Sequence, residues 1–304
     1  QGNKLIVSTA EANKLIADVW FARADFAQDN PAIIEGLVRG IFDAMVELKG
    51  DDAKKQVAEL MAAGYSIPKT DALGMLADAH STNWAENFQF FMNQNNPTNF
   101  ERIWNQSYYL YRKIRAIQRP RVDFDQVMDF SIIKKLGEEE KYASQKDEYT
   151  VRFVPKSTSE VQAEDEILTN TVVIHFFPNS HDLYKKVPDK DKGGDATVLY
   201  DPNVDFVLEE IASLTGQFGA ARVVIEGHTD NSMQGRVTED VVLQLSSNRA
   251  NAVKQALVEK FELDPNQLNA VGMGWRRSAD PNDTANHAKN RRVEVKIYPA
   301  ESGG

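Results

Sequence analysis

EGHTDNSMQGRVTEDVVLQLSSNRA, residues Glu226–Ala250, decides how the rest of the chain is read. The strand pattern VVIEG (Val223–Gly227) runs into it and ends near a carboxylate, Asp230. Leu245-Ser246 stands before an amphipathic run, so Ser246 reads as a helix N-cap whose hydroxyl accepts a free backbone N–H. On that reading Arg249 falls at the third helical position, where Glu or Gln would complete a capping box. A cation there opposes the helix dipole at a cost of roughly 0.3–1 kcal/mol, which suggests a residue waiting for an anion. A carboxylate and a guanidinium separated by polar loop form the layout of a site for a small zwitterion.

Working outward, the pattern from about residue 168 alternates strands and helices. TVVIHF (Thr171–Phe176) is strand-like, and Val204, Val207, Leu208, Ile211, Leu214 and Phe218 form a helical stripe. Val253, Leu257 and Phe261 give the next helix its apolar face. Val293, Val295 and Ile297 alternate with Arg292, Glu294 and Lys296, as in a half-exposed antiparallel strand. The expectation is an α+β domain of β-α-β-α-β order over residues 168–300. The first part, residues 1–142, reads as a mainly helical α/β domain. It opens on a short strand pattern, KLIVST (Lys4–Thr9), with a helix starting at Asn30-Pro31. That helix places Ile33 or Ile34, Leu37, Ile41, Met45 and Leu48 on one face, and Ile103, Leu110, Ile114 and Ile117 share a face of a later helix ending at Arg119-Pro120. Between the domains, EEEKYASQKDE (Glu138–Glu148) and STSEVQAEDE (Ser157–Glu166) predict a charged connector over 143–167.

Composition narrows the function. A chain of 304 residues favours two domains. A net charge of −10 argues against nucleic acid. Lys113, Arg115, Arg119 and Arg121 beside Tyr108, Tyr109 and Tyr111 are read instead as a helix end whose cations suit the dipole. With no cysteine there are no disulfides, thiolate metal sites or cysteine nucleophiles. His228 reads as structural, without a serine–histidine–acid arrangement. His80, His175, His181 and His287 lack metal-ligand spacing. No glycine-rich phosphate loop is present, so no catalytic residue, metal or cofactor is expected. Opening on Gln1, the chain reads as a processed or truncated piece whose anchor or export signal would lie upstream.

FFPNSHDL (Phe176–Leu183), EGHTDN (Glu226–Asn231), LSSNRA (Leu245–Ala250), GMGW (Gly272–Trp275) and NRRVEV (Asn290–Val295) resemble, in order and spacing, the OmpA-like domain of OmpA, the Pal lipoprotein and the stator protein MotB. The resemblance implies non-covalent binding of the peptide stem of peptidoglycan in the periplasm or cell envelope. In it, Asp230 takes the ammonium of diaminopimelate and Arg249 its carboxylate, through two parallel hydrogen bonds. Thr229 and Asn231 lie in the same motif, Asn179 is a candidate extra polar contact, and Ser246, Asn290 and Arg291 are supporting residues. Three departures stand out. Pro178 replaces an acidic or polar residue, Val242 replaces an asparagine, and the separation 249 − 230 = 19 resembles MotB-type members. Ser8–Met45, Asp71–Phe91 and Phe124–Leu136 more distantly resemble periplasmic solute-binding proteins of the nitrate and taurine transporter type. That likeness implies a partial solute-binding fold, with Ser8, Thr9 and Glu11 as candidate contacts, although a self-sufficient helical domain would also give the pattern. Two alternatives to wall attachment remain: a small-solute receptor positioned by the OmpA-like domain, and an interaction module whose wall site has decayed at Val242 and Pro178.

Overall fold

The computed structural model describes residues 8–9, 12–148, 151–189, 191–193 and 195–300. The chain divides into two compact units, one of Asp18–Gln94 with Asn99–Thr150, the other of Gln1–Ala17, Asn95–Thr98 and Val151–Gly304.

The regular elements among the first unit's described residues are all helical: α1 (Ala24–Asp29), α2 (Pro31–Glu47), α3 (Asp51–Tyr65), α4 (Lys69–Met75), α5 (Trp84–Met92), α6 (Phe100–Lys113), a short 3-10 turn at Phe124–Gln126, α7 (Ser131–Leu136) and α8 (Glu140–Ala143). Most of the expected strand Lys4–Thr9 and the candidate contact Glu11 lie outside the described residues. Pro31 does open α2. The buried face, however, runs through Val38 and Phe42, and Ile33 and Leu37 are exposed. Phe42 packs with Leu136 and Tyr142, and Ala58, Ala62 and Ala72 form a separate small cluster. α6 stops at Lys113, well before Arg119-Pro120, and buries none of its residues. The charged run from Glu138 is not a free connector, because Tyr142 within it is fully buried and its hydroxyl donates to Asp43 at 2.8 Å.

The second unit starts with a short helix, α9 (Thr158–Val161), closed by a reciprocal capping box between Ser157 and Glu160. It continues through β1 (Leu168–Val172), β2 (Lys186–Pro188), β3 (Thr197–Leu199), α10 (Val204–Gln217), β4 (Ala221–His228), α11 (Glu239–Phe261), β5 (Leu268–Gly274), α12 (His287–Asn290) and β6 (Val293–Ala300). β2 and β3 form a hairpin of their own, and the main sheet has the order β1-β6-β4-β5. β6 runs antiparallel to both β1 and β4, whereas β4 and β5 are parallel. A parallel neighbour needs a crossover, which α11 provides. Val223, Ile225, Val295 and Ile297 on the inner face pack against Leu208, Ile211, Val253 and Leu257 of the two long helices.

The outer sheet face is covered too, so β6 is not half-exposed as its alternation suggests. Val161 of α9 packs on Val224 and Tyr298, which turns the segment after Val151 into part of the domain. Beside it Glu226, fully buried, accepts from Gln162 at 2.8 Å and lies 3.4 Å from Arg277 and 3.8 Å from Lys296. Glu294 pairs with Arg292 at 2.6 Å. His228 Nε2 stands 3.6 Å from Glu226 and 3.7 Å from Glu294. These three residues bring ligand-type atoms within 4.8 Å of one another, a grouping their sequence spacing did not announce. Lys296, Arg292 and Arg277 already outnumber the two carboxylates of that grouping, so a dication would add further uncompensated positive charge.

α11 lies hard against the sheet at two glycines. A Cβ on Gly227 would come within 3.0 Å of the Ser246 carbonyl oxygen, and one on Gly272 would crowd the Leu243 carbonyl, the Ser247 amide and the Ser246 hydroxyl. Backbone cannot yield as a flexible side chain does, so Gly272→Ala is expected to destabilise the protein by about 1–3 kcal/mol through overpacking. Urea denaturation measures this; an unchanged midpoint would show that the helix has room to move.

Candidate functional site

Three elements converge beside that contact: the end of β4, the middle of α11 and the start of β6. The helix begins earlier than the sequence pattern suggests. Thr238 is its N-cap residue, with Glu239 and Asp240 in the first turn, where acids suit the dipole. Ser246 is therefore an interior residue and not a cap. It is fully buried, its hydroxyl donates to the Leu243 carbonyl at 2.9 Å, and its oxygen accepts the Gly274 amide at 3.0 Å. It pins α11 to the end of β5. Arg249 accordingly lies in the helix interior, and no dipole penalty attaches to it.

What distinguishes Arg249 is its surroundings. It is 8% exposed, its Nε donates to the Ser180 carbonyl at 3.0 Å, and Nη2 reaches toward the Phe177 carbonyl at 3.5 Å. The guanidinium lies over the Phe176 ring, 4.9 Å from its centroid. No carboxylate pairs with it among the described residues. Burial, then the nearby Arg291, disfavour its charged form, while Asp230 and Tyr200 act in the opposite sense. Its charge nonetheless persists, since arginine does not lose its proton in proteins.

Asp230 is 7% exposed. One carboxylate oxygen accepts the Ser232 amide at 2.9 Å and the Ser232 hydroxyl at 2.5 Å; the other pairs with Arg291 at 2.5 Å. His287 approaches within 3.9 Å. Asp230 and Arg249 thus do not salt-bridge each other, and Arg291 is Asp230's ionic partner. Thr229 donates its amide to the Gly274 carbonyl at 2.8 Å, and its buried hydroxyl has no hydrogen-bond partner among the described residues.

The remaining predicted residues take other places. Asn179 is exposed at φ 54°. With Pro178 before it and the Ser180 amide donating to the Phe177 carbonyl at 3.0 Å, it forms a tight turn of the proline-then-positive-φ kind. That turn aims the Phe177 and Ser180 carbonyls at Arg249. Asn231 contributes its carbonyl to the loop turn at Gln234. Asn290, 3% exposed, accepts the Ala279 amide at 2.8 Å and donates to the Thr284 carbonyl at 2.9 Å, bracing the loop before β6. Val242 is buried beside Gly274 and brings no polar atom to the site. Sequence reasoning missed Ser232, His287 and the two carbonyls; the Pro178-Asn179 pair was the available signal for the last.

With this geometry in place, the comparisons with known proteins converge. Residues 193–292 match the OmpA family, and the C-terminal domain is OmpA-like. The chain is 37% identical over 92 residues to outer membrane porin F of Pseudomonas aeruginosa, covering 30% of this chain and 25% of that protein. It is 36% identical over 99 residues to outer membrane protein Omp38 of Acinetobacter baumannii, covering 32% and 26%. The match thus spans about a quarter of the length of these curated relatives. Among solved structures, the peptidoglycan-associated lipoprotein from Burkholderia pseudomallei aligns at 26% identity and TM-score 0.27 over 32% of this chain and 79% of that one. The cell wall anchor of the T6SS from Pseudomonas aeruginosa aligns at 26% and 0.27, over 36% and 75%. The protein belongs to the periplasm or cell envelope, and no described helix is long and apolar enough to cross a membrane. The solute-binding likeness of residues 4–142 finds no support in these comparisons.

Burial raises the Asp230 carboxyl, but hydrogen bonds from the Ser232 hydroxyl and amide and from Arg291 outweigh it and hold the group below the ordinary carboxylate range. A depressed value contributes stability that is present above the unfolded value, about 3.9, and is lost as pH falls through the folded one. Arg291→Ala is expected to move the Asp230 titration, followed by carboxyl NMR, to higher pH. An unmoved titration would mean that Arg291 does not hold the carboxylate.

Proposed function

We propose that the C-terminal domain binds the peptide stem of peptidoglycan non-covalently, through the zwitterionic end of diaminopimelate, and so anchors the protein to the cell wall. The observation that carries this reading is Arg249: a buried guanidinium whose partners are carbonyls and whose counter-ion is missing among the described residues. Unpaired buried charge is costly, and a ligand carboxylate would relieve that cost. With Nε committed to Ser180, the outer N–H groups remain to grip a carboxylate by two parallel bonds. The Asp230 oxygen facing Arg291 retains a second lone pair for the ligand ammonium. The Thr229 hydroxyl supplies a further polar group at the same end of β4. No side chain is asked to attack or transfer a proton, so the reading is attachment without catalysis.

Retention of the purified protein on isolated sacculi tests it. Arg249→Ala is expected to bind at least tenfold more weakly, from loss of about 1.5–3 kcal/mol of charged hydrogen bonding. Arg249→Lys should also bind poorly, because a point charge cannot reproduce the planar fork. Equal retention of wild type and Arg249→Ala would sink the proposed site. Competition by free diaminopimelate, absent with an amidated analogue, tests the zwitterion itself.

A further inference from the structure

The segment Arg102–Val122 of the helical unit holds six lysines and arginines and no acid, in a chain whose net charge is −10. Its helix α6 buries nothing, and the side chains that sequence periodicity assigns to a packed face are in the open: Leu110 is 64% and Ile114 70% exposed, and Tyr109 is 66%. The surface is nevertheless well built. After Lys113 the chain turns back on the helix, with Arg115 at φ 63° and the Ala116 and Ile117 amides donating to the Tyr111 carbonyl. Arg112 ties the returning strand of chain to the Tyr108 hydroxyl and the Gln118 carbonyl, each at 3.2 Å, and Arg121 reaches Asn105 at 2.7 Å. Those two arginines serve the fold. Lys113, Arg115 and Arg119 do not, since none of their side chains has a hydrogen bond or ion pair among the described residues.

Helical spacing sets Tyr109 above Lys113 and Leu110 above Ile114, so aliphatic, aromatic and cationic groups alternate over one small area. We infer that this face docks on an anionic lipid surface. Leu110 and Ile114 enter the apolar margin of the bilayer, Tyr109 sits at headgroup level, and Lys113, Arg115 and Arg119 meet the phosphates. The charge complementarity selects an anionic surface over a neutral one. The exposed aliphatic pair favours lipid, into which it can be buried, and the chain's net charge of −10 weighs against nucleic acid. An envelope protein meets such a surface routinely. This inference stands on the helical unit alone and is independent of the wall-binding reading.

Co-sedimentation of the full chain with vesicles tests it. The protein is expected to pellet with phosphatidylcholine vesicles containing phosphatidylglycerol and not with pure phosphatidylcholine, and to be released by salt. The triple variant K113E/R115E/R119E should bind about a hundredfold more weakly. L110S/I114S should bind more weakly too, with an unchanged far-UV circular dichroism spectrum as the folding check. Because those residues are exposed, both variants should fold; a neutral K113Q/R115Q/R119Q variant serves should the reversed charges disturb the helix. Arg249→Ala should bind vesicles like wild type, which separates this surface from the wall site. The proposal is overturned by equal pelleting with neutral vesicles, by no pelleting with anionic ones, by indifference to the charge reversal, or by a single-stranded oligonucleotide binding while vesicles do not.

Discussion

Everything at the candidate site depends on how closely α11 lies on the ends of β4 and β5. Gly227 and Gly272 let the helix backbone approach the strands to a distance that any side chain would prevent, and the buried Ser246 hydroxyl fastens the two together through the Gly274 amide. That contact has two consequences at once. It fixes the height of Arg249, one turn further along the helix, and it fixes the exit of β4, from which Thr229 and Asp230 emerge. The opposed charges are therefore held by backbone packing and not by bonding to each other. An aspartate and an arginine that do not pair need a scaffold of this kind to keep them apart.

Charge is handled differently on the two faces of the same sheet. On the outer face Glu226 is fully buried, yet Lys296, Arg277 and His228 surround it. Burial raises its carboxyl, the groups around it lower it, and the lowering prevails. Each carboxylate there has a cationic partner, although both ring nitrogens of His228 are buried without a hydrogen-bond partner among the described residues. At the site, Asp230 is satisfied by Ser232 and Arg291, but Arg249 is satisfied only by dipoles. Carbonyl oxygens and a ring face reduce the penalty of a buried cation without neutralising it. The contrast within one domain is what marks Arg249 as open to a partner.

Much of this was legible in the sequence, for identifiable reasons. The strand at Val223–Gly227, the helical stripe from Val204 and the alternation at Val293–Ile297 follow from periodicity, and all three occur. The motif blocks located Asp230 and Arg249. What failed was local reasoning about ends. Ser246 looked like a cap because Leu245-Ser246 precedes an amphipathic run, yet α11 had already begun at Glu239 behind Thr238, with acids in its first turn. β5 was not read as a strand, since LNAVGMG carries glycines where the helix must approach. The stretch before β1 read as a linker from its charge, but Val161 and Gln162 cover the outer sheet face. Tyr142 overturned the same inference in the helical unit. Charge density predicts solvation only on average, and one buried aromatic is enough to recruit a charged run into a core.

Two of the three departures from the family pattern, Pro178 and Val242, have opposite physical weight. Pro178 restricts the backbone before Asn179, whose positive φ suits the turn that delivers two carbonyls to Arg249. The carbonyls so placed orient the guanidinium. Val242 adds apolar packing beside Gly274 and brings no polar atom to that flank. Discrimination then falls on the ionic groups. Two arginines face one aspartate, and burial first, then repulsion from Arg291, disfavours the charged form of Arg249. An entering carboxylate would relieve that repulsion while the accompanying ammonium competes with Arg291 for Asp230. A carboxylate would supply the negative charge that Arg249 lacks, whereas a simple cation would have to displace Arg291 and leave Arg249 uncompensated.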